Sequence, residues 1–275
     1  MPNLSLALPD CTHPLPLPPS VARRALFDNE FVAFYQPKVR IDTGQLVGVE
    51  VLARWNRPRQ GLVSPADFLP ALENLGLLDE LFQRMLVQAL EMRRNLLAQG
   101  VELDLAFNVH PDQLQQAGFA NGLQQRLKQQ GCPAHAVTLE ILETAAIESS
   151  GASFKNLLLL RLMGATVSMD DFGSGFSSLQ RLCELPFNEI KLDASFLRQL
   201  DSNAKARAVI QGTVKLAGAL QIRLVVEGLE TPQQLTQLLA LGCNTAQGYL
   251  LARPMPAQKF INFCLHHSPS SIASL

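Results

Sequence analysis

The stretch Ala165-Thr-Val-Ser-Met-Asp-Asp-Phe-Gly-Ser-Gly-Phe-Ser-Ser-Leu179 joins a short apolar run to two adjacent carboxylates. The run predicts a buried strand with Asp170 and Asp171 at its carboxyl end, and the glycines that follow predict a mobile loop. Two neighbouring acids repel each other and resist burial, so a divalent cation between them would explain the pair. An Asp-rich turn followed by a helix cap is the alternative interpretation.

Strand and helix patterns alternate on both sides of this stretch. Apolar runs predict eight strands, at 31–39, 46–55, 102–109, 136–142, 165–171, 188–193, 222–227 and 245–251. Helical patterns cover 21–29, 64–76, 79–99, 112–130, 153–163, a segment ending at 182, 204–220, 232–241 and 257–266. The first two strands form a predicted hairpin, and the alternation after them indicates parallel pairing. With 275 residues and no glycine-rich dinucleotide fingerprint, a closed (β/α)8 barrel is favoured over a doubly wound sheet, which is the alternative.

Composition limits the partners and the compartment. The net charge is −1 without a dense Lys/Arg block, so neither a nucleic-acid polymer nor a membrane surface is expected as a partner. Five cysteines without a Cys-x-x-Cys motif argue against a disulfide framework or zinc cluster and predict a reducing, cytoplasmic location. Six prolines in 1–20 predict a disordered tail, or a linker from an upstream domain, rather than a signal peptide. The expected division is a tail at 1–20, one domain at 21–268 and a C-terminal tail at 269–275.

Polar residues recur in or just after the predicted strands. They are Glu50, Asn108, Glu140, Asp170, Asp171, Lys191, Asp193, Glu227 and Gln247. In a barrel these strand ends meet at one mouth, and their ligand atoms, apart from lysine, are oxygen. Oxygen-only sites suit Mg²⁺, Mn²⁺ or Ca²⁺ rather than zinc or copper.

Two further patterns place side chains near this mouth. In the second strand Glu50, Leu52 and Arg54 share one face, which is expected to point into the barrel; an exposed edge strand with a Glu–Arg pair is the alternative. The spacing Glu-x-x-Glu-Thr occurs at 140–144 and at 227–231. Its second acids, Glu143 and Glu230, are expected to cap a helix or brace a loop, unless they are ordinary first-turn acids.

Taken together, these motifs resemble the EAL domain, a bacterial phosphodiesterase that opens the cyclic dinucleotide c-di-GMP to linear pGpG. The matching pieces, in family order, are Tyr-Gln-Pro (35–37), Glu-Val-Leu-Ala-Arg-Trp (50–55), Pro-x-x-Phe-Leu-Pro-x-x-Glu (65–73), Asn108, Leu-Glu-Ile-Leu-Glu (139–143), Asp-Asp-Phe-Gly-Ser-Gly-Phe-Ser-Ser-Leu (170–179), Lys-Leu-Asp (191–193), Val-Glu-Gly-Leu-Glu-Thr (226–231), Gln-Gly-Tyr (247–249) and Pro-Met-Pro (254–256). The resemblance implies an α/β fold, a modified (β/α)8 TIM-type barrel whose first strand runs antiparallel to the others.

The resemblance also implies a site with two cations, Mg²⁺ or Mn²⁺, at which Ca²⁺ would inhibit. One ion would be held by Glu50, Asn108, Glu140 and Asp170, and the other by Asp170, Asp171 and Glu227. The expected catalytic residues are Lys191, Glu227 and Glu50. Substrate would be bound by Gln36, Leu52, Arg54, Asp193, Gln247 and Pro254, and the loop after Asp171 would be supported by Glu143 and Glu230.

Every position that the resemblance assigns to metal binding or water activation keeps a competent residue, so we expect an active enzyme. The resemblance implies a role in second-messenger signalling, in the control of biofilm and motility. A catalytically silent c-di-GMP receptor is the alternative. Val51 replaces the usual Ala, while Ser174 and Phe176 replace Thr and Tyr in the loop. A homodimer and a separate sensor or regulator protein are expected partners. Two other enzyme classes are disfavoured. An enolase-type barrel would need a capping domain that the 20-residue tail cannot supply, and a kinase would need a glycine-rich phosphate loop that the sequence does not contain.

Overall fold

Eight strands close into a barrel in a computed structural model that describes residues 18–143, 147, 151–175 and 178–268. The strands are β1 (Phe31–Arg40), β2 (Leu46–Arg57), β3 (Gly61–Val63), β4 (Asp104–Asn108), β5 (Val137–Leu142), β6 (Thr166–Phe172), β7 (Glu189–Leu192), β8 (Arg223–Val226), β9 (Thr245–Ala246) and β10 (Met255–Pro256). The helices are α1 (Pro19–Phe27), α2 (Pro65–Asn74), α3 (Leu78–Leu97), α4 (Pro111–Gln115), α5 (Phe119–Gln129), α6 (Ala152–Leu162), α7 (Ser178–Glu184), α8 (Ala194–Arg198), α9 (Ala204–Leu220), α10 (Pro232–Ala240) and α11 (Ala257–His266).

The barrel closes through its first strand. Strands β2, β4, β5, β6, β7, β8 and β9 pair in parallel, and β1 pairs antiparallel with both β2 and β9. Short strands β3 and β10 extend the sheet beside β2 and β1. The predicted barrel with an antiparallel first strand is therefore confirmed, and the doubly wound alternative is wrong.

Alternation along the strands separates an apolar outer face from a polar inner face. In β5, Val137, Leu139 and Ile141 are fully buried in the hydrophobic core, as expected for side chains packed beneath the surrounding helices. Thr138 and Glu140 alternate with them and point into the barrel. Bulky branched residues usually fill such a barrel, so charged groups inside it indicate a functional interior.

Most element boundaries differ from the predicted ones by two residues or fewer, but the segment predicted as one helix at 112–130 is divided. Gly118 adopts φ = 85° between α4 and α5, a conformation that glycine tolerates and that ends the helical path. The predicted strand 245–251 stops at Ala246, because the chain turns at Gly248 to pack on the backbone of Leu229. The tails 1–17 and 269–275 lie outside the described residues. No helix in the described part of the chain combines the length and hydropathy needed to cross a membrane.

Candidate metal and substrate site

Four carboxylates surround the ammonium group of Lys191 at the carboxyl end of the barrel. The Lys191 side chain is 1% exposed. Its Nζ lies 3.3 Å from Oε2 of Glu50, 2.9 Å from Oε2 of Glu140, 3.0 Å from Oδ1 of Asp170 and 2.7 Å from Oε1 of Glu227. These residues come from β2, β5, β6, β7 and the turn after β8, so parallel pairing brings acids distant in sequence to one mouth. We call these five residues the carboxylate ring.

Amide side chains hold Glu50 in this ring. Its Oε1 accepts a hydrogen bond of 2.9 Å from Nδ2 of Asn108, and its Oε2 accepts one of 2.6 Å from Nε2 of Gln247. The same Gln247 nitrogen donates to Oε1 of Gln36 at 3.1 Å, and Gln36 donates to the carbonyl oxygen of Ala252 at 3.2 Å. The predicted residues Gln36, Asn108 and Gln247 therefore meet at Glu50.

A second buried lysine, Lys38, reaches the ring from below and is absent from the sequence-based site. It is 6% exposed, and its Nζ donates to Oε1 of Glu140. The signal for it was the period of two in β1, because Lys38 shares the inward face with Gln36. Its partner lies 102 residues further along the chain, and the strand pattern alone does not identify it.

The acids of the site carry more negative charge than Lys191 and Lys38 neutralise. Burial and repulsion from Glu50 raise the pKa of Glu140 to about 8, although both of its oxygens accept from ammonium groups. We take Glu140 as a carboxylate, because a protonated acid would direct its O–H at a donor. Burial would raise the pKa of Glu50, but Lys191 and Lys38 lower it to about 2. Burial would lower the pKa of Lys191, yet the surrounding carboxylates raise it well above its usual value.

Two further acids of the site, Asp171 and Glu227, resist ionisation. Burial, and then Asp170, raise the pKa of Asp171 to about 6, with Asp193 adding to the effect. Burial raises the pKa of Glu227 to about 7, against the opposing effect of Lys191. Counting Glu50, Glu140, Asp170, Asp171, Asp193 and Glu227, six carboxylates face two ammonium groups. Cations are a physical means of holding such a cluster fully ionised.

One part of the site has a donor arrangement that fits a divalent cation. One carboxylate oxygen from each of Asp170, Asp171 and Glu227 lies within 4.8 Å of the other two. Among the described residues, these three form the one group of potential metal ligands that are this close together. Asp171 adopts φ = 56° where the register between β6 and β7 shifts, so the backbone departs from regular strand geometry at the second of the two aspartates. These oxygen donors suit a hard cation. Glu50 and Glu140 belong to the lysine pairs, so the four-residue ligand set for the first ion stays a prediction.

Glu143 contacts the loop that follows the two aspartates. Its Oε2 accepts hydrogen bonds from the backbone N–H groups of Gly173 at 2.8 Å and Gly175 at 3.2 Å. A carboxylate that accepts two amides fixes the path of the backbone directly after Asp171. The other predicted supporting acid, Glu230, is exposed on the wall of the mouth and precedes the N-cap of α10 at Thr231. Residue Phe176, singled out in the sequence, lies outside the described residues.

A cavity of about 270 Å³ opens beside the ring. Of the predicted substrate residues, Gln36, Leu52 and Gln247 line it. Arg198 and Tyr249 also line it and are absent from the predicted set; Arg198 lies in the five-residue helix α8, which is too short for sequence periodicity to show.

The remaining predicted substrate residues lie around this opening rather than on its wall. Arg54 donates to the carbonyl oxygen of Ala53 at 2.8 Å, and its guanidinium lies 5.7 Å from the ring centroid of Phe34. Asp193 is the N-cap of α8 and accepts from the backbone of Ser195 at 2.9 Å. Pro254 directly precedes β10 and is half-buried.

Comparison with known proteins gives one consistent family. A family model described as the EAL domain matches residues 21–254. RocR of Pseudomonas aeruginosa, named a cyclic di-GMP phosphodiesterase, is 48% identical over 248 residues, which cover 90% of this chain and 63% of RocR. The phosphodiesterase MucR, solved as a c-di-GMP complex, superposes with a TM-score of 0.81 at 37% identity, covering 87% of this chain and 97% of that one. The EAL enzyme Bd1971, solved with cAMP and cyclic di-GMP, gives 0.84 at 29% identity over 90% of this chain and 68% of its own.

Proposed function

The chain belongs to the EAL domain family, and from this premise we propose that it is a metal-dependent phosphodiesterase that hydrolyses c-di-GMP to linear 5'-pGpG. The observation that carries the proposal is the carboxylate ring, in which acids from separate strands crowd around a fully buried lysine. The chain spans 63% of the length of RocR and 35% of that of MucR, so the proposal concerns the activity of this domain.

The proposed ligands divide into two groups. Glu50, Asn108, Glu140 and Asp170 would hold one divalent cation, and Asp170, Asp171 and Glu227 would hold the second. Two such ions, if bound there, would supply an acidified water and would stabilise the charge that develops at phosphorus. The spacing of the carboxylate oxygens of Asp170, Asp171 and Glu227 supports the second group, and the excess negative charge of the site supports bound cations in general.

The protein's own groups would orient the reaction. Lys191 stays protonated among its carboxylates, so it presents a fixed positive charge to a transferring phosphoryl group. Glu50 and Glu227 hold that ammonium in place from two sides. Arg54, which makes only one hydrogen bond to protein in the described structure, has N–H groups left for a phosphate oxygen.

The remaining proposed contacts are with parts of the cyclic dinucleotide other than the reacting phosphate. Gln36, Leu52 and Gln247 form one wall of the mouth, and they would contact the dinucleotide beside the scissile bond. Asp193 and Pro254 would contact it further out. Glu143 would keep the loop after Asp171 in place, and Glu230 would support the site from the mouth.

The decisive experiment is incubation of the purified chain with c-di-GMP and either Mg²⁺ or Mn²⁺, with separation of the nucleotides afterwards. Wild type and the exposed-acid control Glu80→Gln should both form pGpG, whereas Glu50→Gln should not. Substrate that is bound but left intact by the wild type would instead indicate a receptor. Substrate that is neither bound nor cleaved would refute both functions.

Finer features of the proposal are the metal, the assembly and the compartment. We propose Mg²⁺ or Mn²⁺ as the working ion and inhibition by Ca²⁺, which takes more ligands at longer distances. The unpaired thiols of Cys132, Cys183, Cys243 and Cys264 support a reducing, cytoplasmic location. A homodimer and a separate regulator are further proposals, and light scattering of the purified chain tests the first.

A further inference from the structure

A larger cavity, of about 530 Å³, enters the barrel from the end opposite the carboxylate ring. The first residues of several strands line it, including Gly48 of β2, Asp104 of β4, Glu189 of β7 and Arg223 of β8. Barrels of this type are normally filled by bulky branched side chains. Here Gly48, near this end, and Ala106, level with the carboxylate ring, occupy inward positions on neighbouring strands, and their small size leaves the barrel open from this end up to the ring.

A buried carboxylate with one free oxygen lies in the wall of this cavity. Glu189 is 5% exposed, and its Oε2 pairs with Nε of Arg223 at 3.0 Å. Its Oε1 has no hydrogen-bond partner within residues 18–143, 147, 151–175 and 178–268. A buried acceptor left without a donor is costly, so this oxygen is suited to an N–H or O–H group of a ligand.

A buried cation lies in the same wall. The ammonium of Lys38 has three N–H donors, and Oε1 of Glu140 is its one hydrogen-bond acceptor in the described part of the chain. The cavity thus has an ammonium donor in its wall and, directly beneath its surface, a carboxylate acceptor that a turn of the Glu189 side chain would bring to a ligand, between apolar side chains such as Val225.

The charges of the wall argue for a neutral ligand. A cation would meet Lys38, Arg40 and Arg223, and an anion would meet Asp104 and Glu189. A group that carries an N–H donor beside a carbonyl acceptor satisfies both deep residues without adding charge. Lactam and carboxamide edges of flat heterocycles, including those of oxopurine and oxopyrimidine bases, have this pattern.

We propose that this cavity is a binding site for a small, neutral, planar heterocycle with a lactam or carboxamide edge. The ligand N–H donates to Oε1 of Glu189, its carbonyl accepts from Lys38, and its ring packs against the apolar wall. The volume is within the range of sites that bind small molecules. The cavity opens at the end opposite the carboxylate ring, and Lys38 at its inner end donates to Glu140 of that ring; the proposal itself requires no phosphodiesterase activity.

The test uses ligand-observed NMR on the purified chain with 2-pyridone as the probe. We expect saturable binding with a dissociation constant on the order of 1 mM, as befits so small a molecule. N-methyl-2-pyridone, which lacks the N–H, should bind roughly tenfold more weakly, because Oε1 of Glu189 is then left unpaired. Binding without saturation, or equal binding of the two probes, would overturn the proposal and leave a cavity that holds only solvent.

Two variants locate the site. Glu189→Gln should weaken 2-pyridone roughly tenfold, because Arg223 holds the amide oxygen and turns the amide nitrogen, a donor, toward the ligand. Ala106→Leu should abolish binding by filling the barrel. Should Ala106→Leu fail to fold, the Glu189→Gln result decides alone, and unchanged affinity in that variant would refute the assignment.

Discussion

Replacing Lys38 with methionine tests how the barrel balances its buried charge. The substitution keeps an unbranched side chain but removes the ammonium that donates to Glu140. Breaking a buried ion pair by removing one partner costs about 3–5 kcal/mol. Because Glu140 keeps Lys191 at 2.9 Å, we expect the lower end, a loss of about 3 kcal/mol in the free energy of unfolding.

Thermal unfolding in EDTA measures this loss. For a domain of this size, about 3 kcal/mol corresponds to a fall in melting temperature of roughly 6–12 °C. The matched control is Lys215→Met, since Lys215 is an exposed lysine on α9, and its melting temperature should stay near that of the wild type. Adding Mn²⁺ should raise the melting temperature of the Lys38→Met variant by more than that of the wild type, because the variant has one positive charge fewer beside the carboxylate ring.

A melting temperature of Lys38→Met within the range of the surface control would refute the reasoning. Glu140 would then be balanced by Lys191 alone, or protonated, in line with a pKa of about 8. A smaller response to Mn²⁺ than that of the wild type would also contradict it, since removing a cation beside a metal ligand cannot weaken cation binding through charge.

Three further changes probe the site and the fold. Glu143→Gln should speed hydrogen exchange of the backbone amides of Gly173 and Gly175 and should lower turnover, because an amide oxygen is a weaker hydrogen-bond acceptor than a carboxylate. Unchanged exchange rates of these two amides would contradict this. In metal-free protein, stability should fall as pH rises from about 4.5 to 7. The pKa values in the folded protein, about 6 for Asp171 and about 7 for Glu227, lie above those of the unfolded chain, so the folded state binds the extra protons and loses this advantage as they dissociate. The measurement is the melting temperature as a function of pH in EDTA. Its slope should be smaller in the double variant Asp171→Asn, Glu227→Gln, and an unchanged slope would mean that other groups cause the pH dependence. Gly248→Ala should cost about 3 kcal/mol or prevent folding, because the new methyl would lie 2.1 Å from a backbone oxygen, whereas Gly212→Ala on α9 meets nothing within 4 Å and should be neutral or stabilising in chemical denaturation.

The barrel could be predicted from the sequence because its elements carry local signals. Continuous apolar runs alternate with amphipathic segments, and N-cap and C-terminal glycine signals bound the helices, so helices such as 204–220 match the structure residue for residue. Short elements outside the regular alternation, namely β3, β10 and α8, escaped prediction. Strand β10 has two residues and helix α8 has five, too few for a period to be visible, and tertiary contacts alone define them.

The site could be predicted as a set of residues but not as a set of contacts. Asp170 and Glu140 were identifiable because acids in apolar strands are unusual and strand ends converge. The sequence pattern does not show which side-chain atoms contact each other. Lys191 contacts four carboxylates at once, and Lys38 comes from a strand on which only Gln36 had been assigned. These pairings depend on barrel closure, which brings β1 into contact with residues more than 100 positions away.

Lys38 also joins the two ends of the barrel. It donates to Glu140 in the region of the carboxylate ring, and it lines the cavity that opens at the opposite end. A ligand carbonyl that accepts from this ammonium competes with Glu140 for its charge, so occupation of the far cavity should change how strongly the ring attracts cations. Coupling between ligand binding in the cavity and cation binding at the ring is reciprocal, because a cation that binds Glu140 frees Lys38 to donate to the ligand. The dissociation constant of 2-pyridone measured with and without Mn²⁺ is therefore a direct test: equal values would make the two ends independent, and Lys38→Met should remove any difference that is found.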